Sequence, residues 1–182
     1  SSRKALQTLT NTSLETCDFA FMRSKWLEIA GATCLALRVS FTGDLGWELH
    51  CKTEDQSRLY AALLMAGKQV GAGPVGSRAL MSLRVEKGYG SWSREYSPEY
   101  WPQEVGLDRL IKMDKEFLNK AAYAALIDNA PREMLSIIEV QDVGDADATG
   151  GEPIFLPDGT PVGRVSSGAY GYSVDASLAL GF

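Results

Sequence analysis

The stretch that most constrains the fold runs from Arg38 to His50, where two alternating patterns flank a turn-like sequence. Apolar and polar residues alternate up to Phe41, and they alternate again from Trp47 onward. A period of two is typical of half-buried strands, and the glycines of the intervening T-G-D-L-G segment favour a tight loop. We therefore predict a β-hairpin whose strands reach Phe41 and resume at Trp47.

The register of this hairpin predicts the direction of one carboxylate. If residues 42–46 form the loop, Phe41 faces Trp47 and the apolar side chains share one face of the sheet. Glu48 then lies on the opposite face, near Ser40 and Arg38. The alternative interpretation is a solvated strand carboxylate, which is the more frequent role of such a residue.

Composition indicates a globular protein and excludes several function classes. The 182 residues are 45% hydrophobic and 23% charged, which is enough apolar material for a core or for two small domains. A formal net charge of -5 without a dense Lys/Arg stripe argues against a nucleic-acid surface. No apolar run approaches membrane-spanning length, so we expect a small-molecule or protein partner and no membrane. The start S-S-R-K-A-L resembles no signal peptide, and the chain is expected to begin in mid-protein.

Three cysteines and one histidine limit the metal and redox chemistry. Cys17, Cys34 and Cys51 are odd in number and widely spaced, so neither a disulfide framework nor a zinc site is indicated. His50 is the only histidine, and the acidic residues show no metal-ligand spacing. We predict reduced thiols in an intracellular compartment and no metal site.

Helix and turn signals divide the chain into a mixed region and a β-rich region. Thr53 and Gln56 match a capping box, and Asn119 can cap the helix predicted over 120–127. After Pro131 the sequence changes to short apolar runs separated by Gly, Pro and Asp, including an acidic loop over 142–147. The predicted elements are helices over 3–9, 54–69, 78–86 and 120–127, strands over 34–41 and 134–140, and a hairpin turn at 157–159. We predict domains 1–130 and 131–182.

A second motif, G-S-R-A-L-M-S-L-R-V-E-K-G-Y-G-S-W, begins at Gly76. It places Arg78 in the first turn of a helix, where a cation opposes the macrodipole at a cost of a few tenths of a kcal/mol. A bound anion would compensate this cost, and so would a local salt bridge to Asp44 or Glu48. The aromatic residues after this helix, which include Tyr89 and Trp92, can serve simply to pack in the core or between domains.

Three ordered strings resemble the folate-binding aminomethyltransferase family, which includes the glycine cleavage T-protein and the C-terminal regions of dimethylglycine and sarcosine dehydrogenases. The strings are F-T-G-D-L-G-W-E-L-H, G-S-R-A-L-M-S-L-R-V-E-K-G-Y and P-Q-E-V-G-L-D-R-L-I-K-M-D-K-E-F-L-N-K-A-A. The spelling is most similar to the dehydrogenase branch. The resemblance implies an α+β fold, in which the C-terminal half of the folate-binding domain, an antiparallel sheet with packed helices, precedes a truncated C-terminal β-barrel domain.

The resemblance also implies a tetrahydrofolate site. Glu48 corresponds to the glutamate that holds the pterin, Arg78 to an arginine on folate, and Tyr89 to an aromatic residue that lines the site in the dehydrogenase branch. Trp92 is assigned only by proximity, and Phe41 replaces a tyrosine of many relatives, so a phenolic hydrogen bond would be absent. The family's catalytic aspartate belongs to a segment that precedes the aligned part, so no catalytic residue is expected here and the fragment alone should be inactive.

The implied function is transfer of an aminomethyl or methylene group to tetrahydrofolate in glycine, sarcosine or dimethylglycine catabolism. The carbon would come from a lipoyl carrier protein, or as an amine-derived substrate from an upstream flavin dehydrogenase domain with FAD. The alternatives are a folate-dependent demethylase of a sulfur compound, a non-catalytic folate-binding maintenance protein, and a scaffold that has lost its ligand. The maintenance proteins carry K-G-C-Y where this chain has K-G-Y-G. The expected compartment is the bacterial cytoplasm or the mitochondrial matrix.

Overall fold

The computed structural model describes residues 1–144 and 146–182, so Asp145 of the predicted acidic loop lies outside the described residues. The chain forms two compact units, residues 1–77 and 78–182. The predicted division at residue 130 stays a prediction.

The first unit is an antiparallel three-stranded sheet covered by helices on one face. Its strand order is β1-β2-β3, and leucines of both helices pack with the inward side chains of the sheet. Its elements are α1 (Ser2–Gln7), β1 (Ser24–Ile29), β2 (Ala32–Leu37), β3 (Glu48–His50) and α2 (Thr53–Lys68). Both helices agree with the predicted segments to within about two residues, whereas β1 was not predicted.

The β1–β2 connection is a two-residue turn. Ala30 and Gly31 both have positive φ, at 49° and 73°, as a type I′ hairpin turn requires. Residue pairs Trp26↔Leu35 and Leu27↔Cys34 lie on opposite faces of the resulting ladder. This tight turn brings Trp26 beside the strand that precedes Glu48.

The predicted register of the second hairpin is wrong. β2 ends at Leu37, which pairs with Glu48, so Ser40 and Phe41 lie in the connection to β3 and are not strand residues. The side chain of Arg38 is buried and donates hydrogen bonds to the carbonyl oxygen of Phe19 and to Thr16 Oγ1. The backbone of Arg38 still exchanges hydrogen bonds with Arg23 and Met22, so the chain departs from the β2–β3 ladder here while it stays bonded to the segment before β1.

The predicted core face of β2 is also wrong. The small residues Ala32, Cys34 and Ala36 are buried, whereas Leu35 and Leu37 are only half-buried on the other face. Small side chains let the covering helices approach the sheet closely, and Leu59 of α2 packs in the same core. The outward direction of Glu48 is nevertheless confirmed, because Leu49 packs against the core and its neighbours along the strand point away.

The predicted capping box of α2 is absent. The helix begins at Thr53, Lys52 occupies the N-cap position, and no side-chain hydrogen bond caps the helix. Glu54 and Asp55 in the first turn complement the helix macrodipole instead.

The second unit contains most of α3 (Ser77–Glu86), two short 3-10 turns, α4 and a four-stranded antiparallel sheet of order β4-β7-β6-β5. Its other elements are the turns Pro102–Val105 and Asp108–Leu110, α4 (Lys120–Ile127), β4 (Ser136–Val140), β5 (Pro153–Phe155), β6 (Pro161–Gly171) and β7 (Ala176–Gly181). Val85 of α3 packs with Leu178 and Leu180 of β7. The predicted α3, α4 and β4 are confirmed.

The predicted hairpin turn at residues 157–159 joins β5 to β6. Gly159 has a φ of 84°, and Asp158 Oδ1 accepts a 2.9 Å hydrogen bond from the Thr160 N–H. Two antiparallel sheets with packed helices confirm the α+β fold class. Among residues 1–144 and 146–182, no helix has the length and apolar character needed to cross a membrane.

Candidate functional site

Glu48 is presented on the outer face of the first unit by an edge strand. It begins β3, which pairs only with β2, and its side chain is 57% exposed. His50 lies on the same face with its Nε2 3.6 Å from Glu48 Oε2. Within the first unit, the side chain of Glu48 has no hydrogen bond, so both carboxylate oxygens can accept bonds from a ligand.

The sheet face beside Glu48 is apolar and aromatic. The register places Leu37 next to Glu48, and Leu35 between Trp26 and His50. Trp26 is 70% exposed and the two leucines are half-buried, so this face offers apolar surface to a planar ligand. Trp26 was not among the predicted site residues because β1 was not predicted, although Leu27 and Ile29 alternate with polar neighbours before a glycine turn.

Phe41 lies in the connection between β2 and β3. Its side chain is exposed, and the nearby turn is held by a 3.2 Å hydrogen bond from Thr42 Oγ1 to Asp44 Oδ2. Gly43 in this turn has a φ of 78°. Because Phe41 is not a strand residue, its predicted position on the sheet face opposite to Glu48 is wrong.

Arg78 lies in the first turn of α3, as predicted. The first turn holds no acidic residue, and the Arg78 side chain is exposed. Within the described part of its own unit, the guanidinium forms no hydrogen bond or ion pair. A salt bridge to Asp44 or Glu48, which belong to the other unit, stays a prediction.

A buried ion pair fixes the loop that carries Tyr89 and Trp92. Arg84 Nη1 donates to the Tyr89 carbonyl oxygen at 3.0 Å and to Glu95 Oε2 at 3.1 Å. Glu95 Oε2 also accepts the Ser91 N–H at 2.8 Å. Both ends of the loop are therefore bonded to one buried centre.

The same ion pair is bonded to β6. Ser166 Oγ and Ser167 Oγ each donate to Glu95 Oε1 at 2.6 Å, and Arg84 Nη2 donates to Ser167 Oγ at 2.6 Å. Burial acts to raise the pKa of Glu95, but the serine hydrogen bonds and the charge of Arg84 outweigh it and lower that pKa. Glu95 is thus a buried carboxylate, which the sequence analysis did not identify because its partners are up to 72 residues away.

Tyr89 and Trp92 differ in their surroundings. Tyr89 is half-buried and lines a cavity of about 290 Å³ together with Leu107 and Arg109. Trp92 is 81% exposed. A side chain at Gly90 would lie 2.7 Å from the Tyr96 ring, so only glycine allows the loop to pack at this point.

The described residues contain no group of three or more His, Cys, Asp or Glu side chains that could hold a metal ion. The five predicted site residues fall into two sets: Glu48 and Phe41 in the first unit, and Arg78, Tyr89 and Trp92 in the second. Their assembly around one ligand stays a prediction.

Two family models match this chain. The GCVT N-terminal domain matches residues 1–115, and the glycine cleavage T-protein C-terminal barrel domain matches residues 134–182.

Similar curated proteins include dehydrogenases and aminomethyltransferases. Dimethylglycine dehydrogenase, mitochondrial, of Mus musculus is 35% identical over 182 residues, which is 99% of this chain and 21% of that protein. Sarcosine dehydrogenase, mitochondrial, of Homo sapiens is 33% identical, covering all of this chain and 20% of that protein. An aminomethyltransferase of Natranaerobius thermophilus is 32% identical over 98% of this chain and 48% of its own length. The chain thus spans about a fifth of the length of these two dehydrogenases.

A solved structure shows the same fold. The glycine cleavage system aminomethyltransferase T from Bartonella henselae superposes with a TM-score of 0.81 and 22% identity, covering 98% of this chain and 48% of that chain.

Proposed function

The chain belongs to the GCVT domain family, and the T-protein C-terminal barrel domain follows that domain in its sequence. We propose that the chain supplies part of a tetrahydrofolate site for one-carbon transfer. Its curated relatives include proteins named aminomethyltransferase, dimethylglycine dehydrogenase and sarcosine dehydrogenase. The activity is assigned to the whole protein, and this chain by itself is expected to be inactive.

The exposed carboxylate of Glu48 is the observation that carries the proposal. It stands at the end of an edge strand beside an apolar sheet face. The pterin ring of tetrahydrofolate offers a ring N–H and an amino group on one edge, and a carboxylate accepts two such parallel donors. The flat ring can lie against the leucines and Trp26 while its edge meets Glu48.

Arg78 is proposed as the second polar contact. A guanidinium suits the pterin carbonyl or the carboxylates of the glutamate tail, and Arg78 has no partner within the described part of its own unit. Tyr89, Trp92 and Phe41 are proposed to add aromatic surface. The buried bonds of Arg84 and Glu95 hold the backbone of the loop that carries Tyr89 and Trp92, so this backbone needs little ordering when the ligand binds.

Bound tetrahydrofolate would supply the nitrogen atoms that accept the one-carbon unit. The role of this chain is to orient the pterin, because placing reactants correctly can contribute several kcal/mol to a bimolecular step. Glu48 and Arg78 fix the position of the ring, and the aromatic side chains exclude water around it. No side chain of this chain is assigned a covalent or acid–base role.

The donor of the carbon is proposed to be an amine-derived substrate delivered from an upstream flavin dehydrogenase domain with FAD. The dimethylglycine and sarcosine dehydrogenases among the relatives, which match this chain over its whole length, support this assignment. A lipoyl carrier protein is the donor under the aminomethyltransferase alternative. The proposed compartment follows the relatives, the mitochondrial matrix or the bacterial cytoplasm.

Calorimetry on the whole protein tests the proposal. Glu48→Ala should weaken tetrahydrofolate binding at least about tenfold, since a hydrogen bond to a charged group contributes about 1.5–3 kcal/mol. Glu54→Ala is the matched control, because it removes the same charge from an exposed position nearby. The proposal fails if the Glu48 and Glu54 variants bind tetrahydrofolate equally well and as tightly as the unmodified protein.

A further inference from the structure

Cys34 of β2 and Cys51, which directly follows the last residue of β3, lie next to the same core of the first unit. The β2–β3 ladder pairs Leu37 with Glu48, Ala36 with Leu49 and Leu35 with His50. The ladder ends at the Leu35–His50 pair, and extending its register by one residue would bring Cys34 opposite Cys51.

Opposing positions on antiparallel strands have the spacing that a disulfide needs. Their Cα atoms lie about 4.5 or 5.5 Å apart depending on the hydrogen-bonding pattern. The Cα separations of disulfides span about 4.4–6.8 Å, so both patterns fall within the range.

The two side chains also point to the same side of the sheet. Cys34 is fully buried in the core formed with α2, and Cys51 is packed against that core. The pKa of the Cys34 thiol is raised, first by burial and then by the nearby Cys51, Glu28 and Asp55. The proximity of Cys51 to Cys34 is thus visible in the electrostatics as well as in the register.

The two thiols differ in access. Cys34 has no exposed surface, whereas Cys51 lines an open cavity of about 440 Å³ together with Leu59 and Tyr60. A small oxidant therefore reaches Cys51 first. All three cysteines are free thiols in this structure, which describes the reduced state.

We propose that Cys34 and Cys51 form a reversible cross-strand disulfide, a redox modification site between β2 and β3. A low-molecular-weight disulfide, oxidised glutathione, is the oxidant. The Cys51 thiolate attacks one of its sulfur atoms, forms a mixed disulfide and releases one glutathione thiolate. The Cys34 sulfur then displaces the second glutathione from Cys51, and the proton of the Cys34 thiol is transferred to the departing glutathione thiolate. The two cysteines are oxidised, and one oxidised glutathione is reduced to two thiols.

The bond would act on the strand that carries Glu48. β3 has three residues, and Glu48 lies three positions before Cys51. A covalent link at the end of this short strand holds it against β2 and limits local opening. The oxidised protein should therefore present Glu48 on a more rigid strand than the reduced protein.

Mass spectrometry of protein that has been oxidised in its folded state tests whether the Cys34–Cys51 disulfide forms. Cys17→Ser removes the exposed third thiol, and the variant is treated with oxidised glutathione and then denatured, alkylated and digested with trypsin. Cleavage at Arg38 separates the two cysteines into peptides 26–38 and 39–52. We expect these peptides to be joined by a disulfide, with the monomer lighter by two hydrogens and the change reversed by dithiothreitol.

Three results would overturn the site: two unmodified thiols, glutathione retained on Cys51 with Cys34 free, or a dimer joined through Cys51. Cys51→Ser in the same background is the control, and its buried Cys34 should take up no glutathione. Oxidation should also raise the thermal unfolding midpoint by about 5 °C or more, because the bond closes a loop of the unfolded chain. An unchanged midpoint would contradict the proposed clamp on β3.

Discussion

The buried Arg84–Glu95 pair makes the stability of the second unit sensitive to one substitution, Glu95→Ala. Glu95 is fully buried and accepts hydrogen bonds from Arg84, Ser91, Ser166 and Ser167. Its removal leaves the Arg84 guanidinium, which is 1% exposed, without its counter-charge. Loss of one partner of a buried pair costs about 3–5 kcal/mol, and we expect a decrease in the free energy of unfolding in that range.

Urea unfolding followed by circular dichroism measures this decrease. Glu99→Ala is the matched control: this glutamate is exposed in the same region, and its loss should change stability by less than about 0.5 kcal/mol. Adding Arg84→Met to Glu95→Ala should restore part of the stability, because no uncompensated charge then remains. The reasoning is refuted if Glu95→Ala costs less than about 1 kcal/mol, or if the double variant is less stable than the single one.

Three further substitutions test other parts of the structure. Hydrogen bonds from Arg132 hold the pKa of Glu104 at about 2, below its ordinary value of 4.5, so this stabilisation is present above about pH 4.5 and is lost as the pH falls toward 2. Arg132→Ala should therefore make acid unfolding, followed by circular dichroism, begin at a higher pH; an unchanged acid transition would argue against this pair. Gly168→Ala would place a Cβ 2.0 Å from the Ala148 carbonyl oxygen and should lower stability by about 1–3 kcal/mol in urea, whereas native stability would contradict that close approach. Arg78→Ala should weaken tetrahydrofolate binding in calorimetry without lowering the thermal midpoint, since the cation opposes the helix macrodipole; lost stability with unchanged affinity would favour a structural salt bridge.

Local patterns predicted most of the elements and the direction of Glu48. The helix at Thr53–Lys68 and the turn at residues 157–159 follow from short-range rules of spacing and turn chemistry. The alternation around Leu49 was sufficient to predict that Glu48 points away from the core. Side chains alternate between the two faces along a strand, whatever the register of the neighbouring strand.

The register between β2 and β3 and the buried face of β2 were predicted wrongly, because both depend on long-range contacts that the local sequence pattern does not show. The alternation continues to Phe41, but the strand ends at Leu37, where Arg38 turns to bond Phe19 and Thr16. The pattern predicted that the apolar face of β2, with Leu35 and Leu37, would face the core. In the structure the opposite face, with its small residues, is buried, because small side chains allow a helix to pack closely on the sheet.

The buried centre of the second unit was not predictable for a related reason. Arg84 lies in α3 and Glu95 in the polar, aromatic stretch that follows it, and nothing in the local sequence distinguishes either residue from a solvated charge. Their burial depends on Ser166 and Ser167, more than seventy residues further along the chain. The resemblance identified the family, whereas the bonds that hold its aromatic loop became visible only in the structure.

The contact between Glu48 and the pterin edge can be measured directly by changing both partners. The whole protein and its Glu48→Ala variant are titrated with tetrahydrofolate and with an analogue that lacks the pterin 2-amino group. We predict that the unmodified protein prefers tetrahydrofolate by about tenfold or more, because the analogue loses a hydrogen bond to a carboxylate, and that the variant binds both ligands equally. A preference that persists unchanged in the Glu48→Ala variant would contradict the assignment of Glu48 as the pterin anchor.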